Sequence, residues 1–285
     1  MRPGSITIFS HSRPGDTGPA LRRIVEIARE ADVEVRLPCA EVEKHGLVEG
    51  AVEAPADDAG LLDTGLAVVL GGDGTILTHL RKFAGTEVPV FAINYGAIGF
   101  LATVEPWELD EGLRRALEGE IDVMALPGLL AELNGGERLA VNDVSIHRRH
   151  NGRVAELAYF VEGEELGEVR CDGLVVSTPA GSTGYNLANG GPVLAWGVEG
   201  YIVSFIAPHT LTARSLVVAP GNRLEVTNRS ASDEVDVITD GQAVGVLTPE
   251  GSIPIRFAHR QALLAQAPGA TFYHRLRDKF GRLSY

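Results

Sequence analysis

The stretch LAVVLGGDGTIL, Leu66 to Leu77, constrains this chain more than any other. Its unbroken apolar run, Leu66–Leu70, reads as a strand buried on both faces of a parallel sheet. Two glycines, an acid and a third glycine follow, and Ile76–Phe83 then looks helical. In an open α/β sheet, ligands bind beyond the carboxyl ends of the strands, which is where this turn falls. Gly71 and Gly72 allow a sharp turn and close backbone approach. Gly74 and Thr75 open a helix whose N–H groups can face anionic oxygens. No GK[ST] follows, so this is not a Walker loop, and a dinucleotide fingerprint is a poor match. Asp73 stands where a phosphate binder usually carries positive charge. A carboxylate there can cap the helix. It can also take a proton from an attacking hydroxyl, or help hold magnesium.

Strand and helix alternate around this turn. Ser5–Ser10 reads as a buried strand, followed by a polar loop, His11–Pro19. Leu21, Ile24, Val25 and Ala28 then share one helical face. Val33–Leu37 is a strand, and Glu41 to Asp58 a loose acidic surface segment. Val88–Asn94 is a further strand, and Trp107–Gly119 a helix burying Leu109, Leu113, Ala116 and Leu117. The alternation predicts an N-terminal Rossmann-like α/β domain over residues 1–122. From Val123 to Phe257 the pattern changes to short strands: Leu139–His147, Leu157–Val161, Gly173–Thr178, Tyr201–Ile206, Leu224–Thr227 and Val235–Thr239. Only the stretch after Ser182 looks helical. This predicts a β-sandwich domain, 123–258. A tail, 259–285, with a short helix in Phe272–Arg282, is expected to pack back on the N-terminal domain.

Length and composition bound the function. A chain of 285 residues makes one large domain or two ordinary ones. A net charge of −13 argues against nucleic-acid binding, which needs a basic face. An anionic nucleotide would need locally gathered donors. Cys39 and Cys171 show no metal-ligand spacing and fit a reducing, intracellular compartment. The N-terminal apolar segment is too short for a signal peptide, and no stretch approaches the roughly 18 residues of a membrane span. A cytoplasmic protein without a membrane partner is expected.

The polar motifs narrow the chemistry. In NYGAIGFLA, Asn94 can hydrogen-bond at a strand end while Gly96 and Gly99 allow a tight loop. In VNDVSIHR, Asn142 and Asp143 are poor strand residues inside a strand pattern, which suggests a site. A carboxylate suits ribose hydroxyls, and an amide suits an adenine edge. In RRHNGR, His-Asn-Gly is a hairpin signal. Arg148 and Arg149 read as its solvated tip, and Arg153 as the better phosphate contact. RCDGLVVSTPAGSTGYNLANGGP, Arg170–Pro192, offers small hydroxyls and backbone donors suited to a wrapped nucleotide. Tyr185 there could stack on a base or belong to the core. His209, in APHTLTARSL, reads as a structural histidine. TDGQ is a hairpin turn that leaves Gln242 a modest candidate.

Taken in order, GGDGT, NYGAIGFL, VNDVSIHR, CDGLVVSTPAGSTGYNLANGGP, PHTLTARSL and TDGQ resemble the NAD kinase family over roughly residues 66–245. GGDG alone is shared with lipid kinases and phosphofructokinases, and the DG…STPAGSTGYN segment separates those families. The resemblance implies a kinase that phosphorylates the adenosine 2′-hydroxyl of NAD with ATP and a divalent metal ion, Mg2+. It also implies a homo-oligomer, dimer or tetramer. Polyphosphate as donor, and NAD against NADH, stay open. Asp73, with Gly74 beside it, takes the family's base position. Asn142 and Asp143 match its adenosine-binding pair, in which the acid is often Glu. Asp172 matches an acid near the nicotinamide half, and Arg170 a position whose arginine leans towards NAD. Thr183, Gly184, Tyr185, Asn186, Leu187 and Ala188 match the substrate loop. Many members carry Ala at the position of Gly184, and Ser at those of Asn186 and Ala188. Arg153, Ala180 and Gln242 match further ligand contacts. No metal ligands are assigned. A lipid kinase would call for an apolar channel and a basic surface, against this chain's acidity. A sensor that binds NAD(H) without chemistry would have little use for Asp73.

Overall fold

The structure, a computed structural model, describes residues 2–55, 58–96, 99–149 and 153–281. The chain divides into two compact units, one made of the residues up to Ala125 and from Ala262 on, the other of Leu126–Gln261. It leaves the first unit and returns to it within continuous strands.

The first unit runs β1 (Ser5–Ser10), α1 (Pro14–Glu30), β2 (Glu34–Leu37), α2 (Cys39–His45), β3 (Val52–Glu53), α3 (Asp58–Leu62), β4 (Leu66–Gly71), α4 (Asp73–Lys82), β5 (Val90–Asn94) and α5 (Leu109–Glu118). Its strands pair in parallel in the order β5-β4-β1-β2-β3. The period of two along each strand sends alternate residues to opposite faces. Ile6, Ile8, Val68, Leu70, Phe91 and Ile93 meet Leu21, Ile24 and Ala28 of α1 and Leu113, Ala116 and Leu117 of α5. Phe9 points the other way, its ring 4.2 Å from that of His79 and 5.8 Å from that of Phe83, at the α4 side. Because β1 lies between β2 and β4, the winding reverses at the β1/β4 pair. The turn after Gly71 therefore opens at the switch point where such sheets bind ligands.

The second unit carries β6 (Asp122–Leu133), β7 (Gly136–Ala140), β8 (Asp143–Arg148), β9 (Ala155–Val161), β10 (Glu164–Cys171), β11 (Gly173–Ser177), α6 (Tyr185–Ala188), β12 (Tyr201–Ile206), β13 (Leu216–Val218), β14 (Leu224–Asn228), β15 (Val235–Thr239), β16 (Gln242–Leu247) and most of β17 (Ser252–Gln266). One antiparallel sheet has the order β13-β12-β11-β8-β15-β16. The other joins β10, β9, β14, β17, β6 and β7. Ile146, Leu174, Val176 and Val203 of the first sheet and Leu157, Val226, Ile253 and Ile255 of the second share one buried core, which makes the sandwich. The end of β17 adds in parallel beside β5, through Leu264 and Ala265, and α7 (Phe272–Phe280) closes the first unit.

Several local expectations change. The His11–Pro19 loop is shorter, because Pro14 starts α1; proline's fixed φ suits the first helical turn, where no N–H partner is needed. The acidic segment from Glu41 is not all surface. Glu41 lies in α2 and is buried, since its carboxylate accepts the Ser10 N–H at 3.1 Å and the Lys44 ammonium at 2.6 Å. Leu139–His147 is two strands, broken at Val141–Asn142 by a turn. α5 starts at Leu109, and Trp107 sits exposed in the short 3-10 turn before it. Strands β3, β6, β10, β13, β16 and β17 are not among those named from the sequence. His150–Gly152, the expected His-Asn-Gly turn, lie outside the described residues, as do Ala97, Ile98 and Arg282.

Left-handed residue pairs shape the hairpins of the second unit. Glu162 and Gly163 join β9 to β10 with φ of 52° and 79°. An L side chain in that region costs about 1–2 kcal/mol. Gly163→Ala is expected to destabilise the protein by about 1 kcal/mol, read from the denaturant midpoint, and to leave the ligand-handling residues untouched.

Candidate functional site

In the first unit, the site starts from two close backbone approaches. A Cβ on Gly96 would lie 2.6 Å from Gly72 Cα, and one on Gly99 would lie 2.5 Å from Asp73 Oδ1. Asn94 fixes the entry to this loop: its Oδ1 accepts the Gly96 N–H at 3.1 Å, and its amide donates to Glu105 at 3.1 Å. The loop then delivers the Phe100 and Leu101 N–H groups to the Asp73 carboxylate, at 2.9 and 3.2 Å. Helix capping does not account for Asp73, because Gly72 is the N-cap and the carboxylate turns to these two amides. Burial raises the Asp73 pKa above its ordinary value. The two backbone hydrogen bonds oppose that rise, followed by the charges of Lys279 and Arg275. Gly74, the next residue, is exposed. With Ser10, His11, Lys44, Thr75 and Thr78 it lines a cavity of about 590 Å³ at the open N-terminus of α4.

In the second unit, Asp240 organises the Val141–Asp143 turn. Its carboxylate accepts the N–H groups of Val141, Asn142 and Asp143 at 2.9, 2.7 and 3.0 Å. Its left-handed φ of 45° comes from the Asp240-Gly241 hairpin between β15 and β16. Asp143 is buried beside it. Burial, and then the Asp240 charge, push the Asp143 carboxyl up to about 7. Asn142 Oδ1 is buried with no hydrogen-bond partner, an acceptor left open for a donor such as an exocyclic amine.

The Gly/Ser/Thr loop fastens onto the same turn. The Thr178 hydroxyl donates to Val141 O at 2.7 Å, and the Thr178 N–H to Asn142 O at 2.9 Å. A Cβ on Gly181 would lie 2.1 Å from Asn142 O, so only glycine permits this contact. Ala180 is buried in the same turn, and its carbonyl accepts the Thr183 hydroxyl at 3.3 Å. Gly184, Tyr185, Leu187 and Ala188 keep some exposure. The Tyr185 ring stacks on His147, 5.5 Å between centroids and 12° between planes. Burial raises its pKa, with smaller contributions from Asp143 and Asp172, which places all three side chains in one neighbourhood.

Not every expected residue joins this group. Asn186 is 0% exposed, and its amide donates to Ser182 O at 3.1 Å and Pro192 O at 2.9 Å. Its amide fastens the loop, while its buried Oδ1 is left without a hydrogen-bond partner. Asp172 accepts Arg148 Nε at 2.6 Å, so Arg148 is an ion-pair partner and not a solvated hairpin tip. Arg149 likewise pairs with Asp236 at 3.2 Å. Arg170 lies in the other sheet, paired with Glu156 at 3.1 Å, at a cavity of about 450 Å³ shared with Tyr159 and His209. Arg153 and Gln242 are exposed, Gln242 directly after the Asp240-Gly241 turn. Sequence reasoning missed Asp240, whose visible signal was only a hairpin. It also missed Thr178, Arg275 and the two amides that hold Asp73.

An acid held at a glycine turn, with an open helix N-terminus beside it, is the equipment of a nucleotide-handling phosphotransferase. Residues 53–121 match the ATP-NAD kinase N-terminal domain, and residues 141–267 the ATP-NAD kinase C-terminal domain. An NAD kinase of Carboxydothermus hydrogenoformans is 35% identical over 271 residues, 92% of this chain and 94% of its own. One of Gemmatimonas aurantiaca is 34% identical over 220 residues, 75% and 76% of the two chains. An Archaeoglobus fulgidus NAD kinase solved in complex with ATP superposes with a TM-score of 0.77 at 27% identity, covering 98% of each chain. Yeast NADH kinase, solved with NADH, gives a TM-score of 0.86 over 99% of this chain and 88% of its own; at 22% identity this is a likeness of fold. The chain belongs to the NAD kinase family.

Two outcomes test the second-unit geometry. Asp240→Asn replaces one acceptor oxygen with a donor facing backbone N–H groups. It is expected to cost about 1–3 kcal/mol in a denaturation experiment. Asp143 keeps a proton in the folded protein between its ordinary 3.8 and about 7, where the unfolded chain has released it. Its contribution to stability is therefore full below about 4 and is lost as pH rises through about 7. Asp143→Asn should flatten the fall of Tm between pH 5 and 8 and leave the variant more stable than the parent at pH 8.

Proposed function

We propose that this chain phosphorylates NAD to NADP, with Asp73 as the general base and ATP, carried as its magnesium salt, as the donor. The observation that carries this reading is the Asp73 carboxylate, fixed by the Phe100 and Leu101 N–H groups beside the open end of α4. Asp73 takes the proton of the adenosine 2′-hydroxyl. The freed oxygen attacks the γ-phosphorus in line, and the bond to the β,γ-bridging oxygen breaks to release ADP. Burial strengthens the base by raising its pKa, while two hydrogen bonds keep it oriented. Gly74 and the amides of α4 receive phosphate oxygens. The magnesium ion would be held by the triphosphate oxygens and would offset their charge as the 2′-oxygen attacks.

On the second unit, Asn142 Oδ1 accepts from the adenine amine and Asp143 bonds the ribose. Tyr185, stacked on His147, offers a flat face, and Thr183, Gly184, Leu187 and Ala188 complete the loop around the dinucleotide. Asp172 and Arg170 take the nicotinamide half, with Arg153, Ala180 and Gln242 as supporting contacts. We further read the protein as a cytoplasmic homo-oligomer, dimer or tetramer. No helix among the described residues is long and apolar enough to cross a membrane.

The test pairs NAD or NADH with ATP or polyphosphate and follows NADP(H) with an NADP-specific dehydrogenase. Native protein is expected to turn over NAD with ATP and magnesium. Asp73→Asn should lower kcat by about 100- to 10,000-fold with NAD affinity kept within about twofold. The rate should rise with pH through a limb above the ordinary aspartate value, because the base works ionised. No NADP(H) from any pairing sinks the kinase reading.

A further inference from the structure

The C-terminal helix holds a cation against the loop that fixes Asp73. Arg275 is 8% exposed and donates through Nη1 to Phe100 O. The same Phe100 residue donates its N–H to Asp73 Oδ2 at 2.9 Å. Leu101 adds its N–H to Oδ1 at 3.2 Å. The Phe280 ring, on the same helix, lies 5.6 Å from the Phe100 ring. Residue 100 is thus gripped at its carbonyl and its ring by α7 while its amide grips the acid.

We propose that Arg275 is a positioning residue for phosphoryl transfer: it anchors Phe100 from α7 so that the Phe100 and Leu101 amides hold the Asp73 carboxylate in its working orientation. The proposal rests on the reading of Asp73 as the base.

Burying a guanidinium is costly, and a surface helix could be docked by apolar contacts alone. This one is spent on a backbone carbonyl that already belongs to the acid's own hydrogen-bonded loop. Burial lowers the Arg275 pKa to about 10, which leaves it charged at neutral pH. Its charge, with that of Lys279 from the same helix, opposes the rise of the Asp73 pKa. Among the described residues, Lys279 and Arg275 are the charged groups that act on the Asp73 carboxyl, while Phe100 and Leu101 reach it through backbone N–H groups. Arg275 therefore acts twice, through loop geometry and through its field, whereas Lys279 acts through its field alone. The geometric role matters because displacing a reacting group by about 1 Å can cost about a hundredfold in rate.

The difference between the two cations makes the test. Steady-state kinetics across pH and amide hydrogen exchange of the Phe100–Leu101 segment are measured for the native chain, Arg275→Gln, Arg275→Lys, Lys279→Gln and Asp73→Asn. Arg275→Gln is expected to lower kcat about ten- to a hundredfold with KM for NAD and ATP within about twofold. It should also speed exchange at Phe100 and Leu101 and move the acid limb of the rate profile to higher pH. Lys279→Gln should move that limb in the same direction without speeding the exchange. Arg275→Lys keeps the charge and loses the planar fork, so its limb should stay while kcat and exchange fall between those of native and Arg275→Gln. Native kcat in Arg275→Gln overturns the proposal. So does a lost kcat with unmoved limb and unmoved exchange, since that is general destabilisation. Should Arg275→Gln fail to fold, native kcat and native exchange in Arg275→Lys overturn it instead. Asp73→Asn with native turnover defeats the base assignment itself. A silent Arg275→Gln beside an inactive Asp73→Asn defeats only the role of Arg275.

Discussion

Two stretches of backbone meet at the carboxyl ends of β4 and β5, and side chains there would keep them apart. The distance from Gly96 to Gly72 leaves no room for a Cβ, and neither does the distance from Gly99 to the Asp73 carboxylate. Glycine in a loop costs conformational entropy on folding. Here that cost is offset by what the approach makes possible. Two main-chain amides reach a half-buried acid that has no contacting cation among the described residues, and α4 keeps its N-terminus open. The parallel sheet sets where these ends lie, since β4 and β5 run in register from Ala67–Val90 to Gly71–Asn94. The buried strand pair is thus part of the apparatus that orients the acid.

The second unit solves a similar problem with a different device. Asn142 and Asp143 interrupt a strand pattern, and left alone the turn would bury three N–H groups without partners. Asp240 supplies acceptors to all three from a hairpin 97 to 99 residues away in sequence. Thr178 then satisfies the carbonyls of the same turn. The three N–H groups and the carbonyls of the turn have partners, whereas the buried Asn142 Oδ1 has none, and an open acceptor beside satisfied backbone points to a place for a ligand.

How much of this could be read in the sequence follows from how local each cause is. β4 was legible because a strand buried on both faces must be apolar throughout. α1 was legible because Leu21, Ile24, Val25 and Ala28 must share one face. β17 was not. Its fifteen residues serve three different neighbours, β14, β6 and, at the end, β5, so no single alternation runs through SIPIRFAHRQALLAQ. Glu41 read as surface because its compensation, Ser10, stands 31 residues away. Arg275 was hidden for the same reason, its carbonyl partner lying 175 residues back. Asn186 shows a structural task that its sequence context hides. A polar residue in a glycine-rich loop looks like a ligand contact, yet the loop needs an internal bolt, and the amide that bonds Ser182 and Pro192 is that bolt. The resemblance to NAD kinases named the family and pointed to segments, but it could not say which side chains hold the scaffold.

The two acids that matter most, Asp73 and Asp143, are both raised by burial and then driven apart by their neighbours. Asp73 accepts two N–H bonds and feels Lys279 and Arg275, all of which favour the ionised form. Asp143 donates its own N–H to a neighbouring carboxylate, Asp240, and sits near 7. The first is held by bonds and charges that favour its ionised form, while near neutrality the second is divided between donor and acceptor forms. Those are different jobs. A base needs an ionised oxygen aimed at one hydroxyl, whereas a ribose grip gains from a group that can both give and accept a hydrogen bond. Environments that separate two carboxyl groups in this way suit them to different work, and that is consistent with the base and the ribose contact proposed for Asp73 and Asp143. The departure from Glu to Asp at position 143 fits that division. A shorter side chain stays closer to the Asp240 carboxylate and deeper in the turn, where burial and like charge keep its proton.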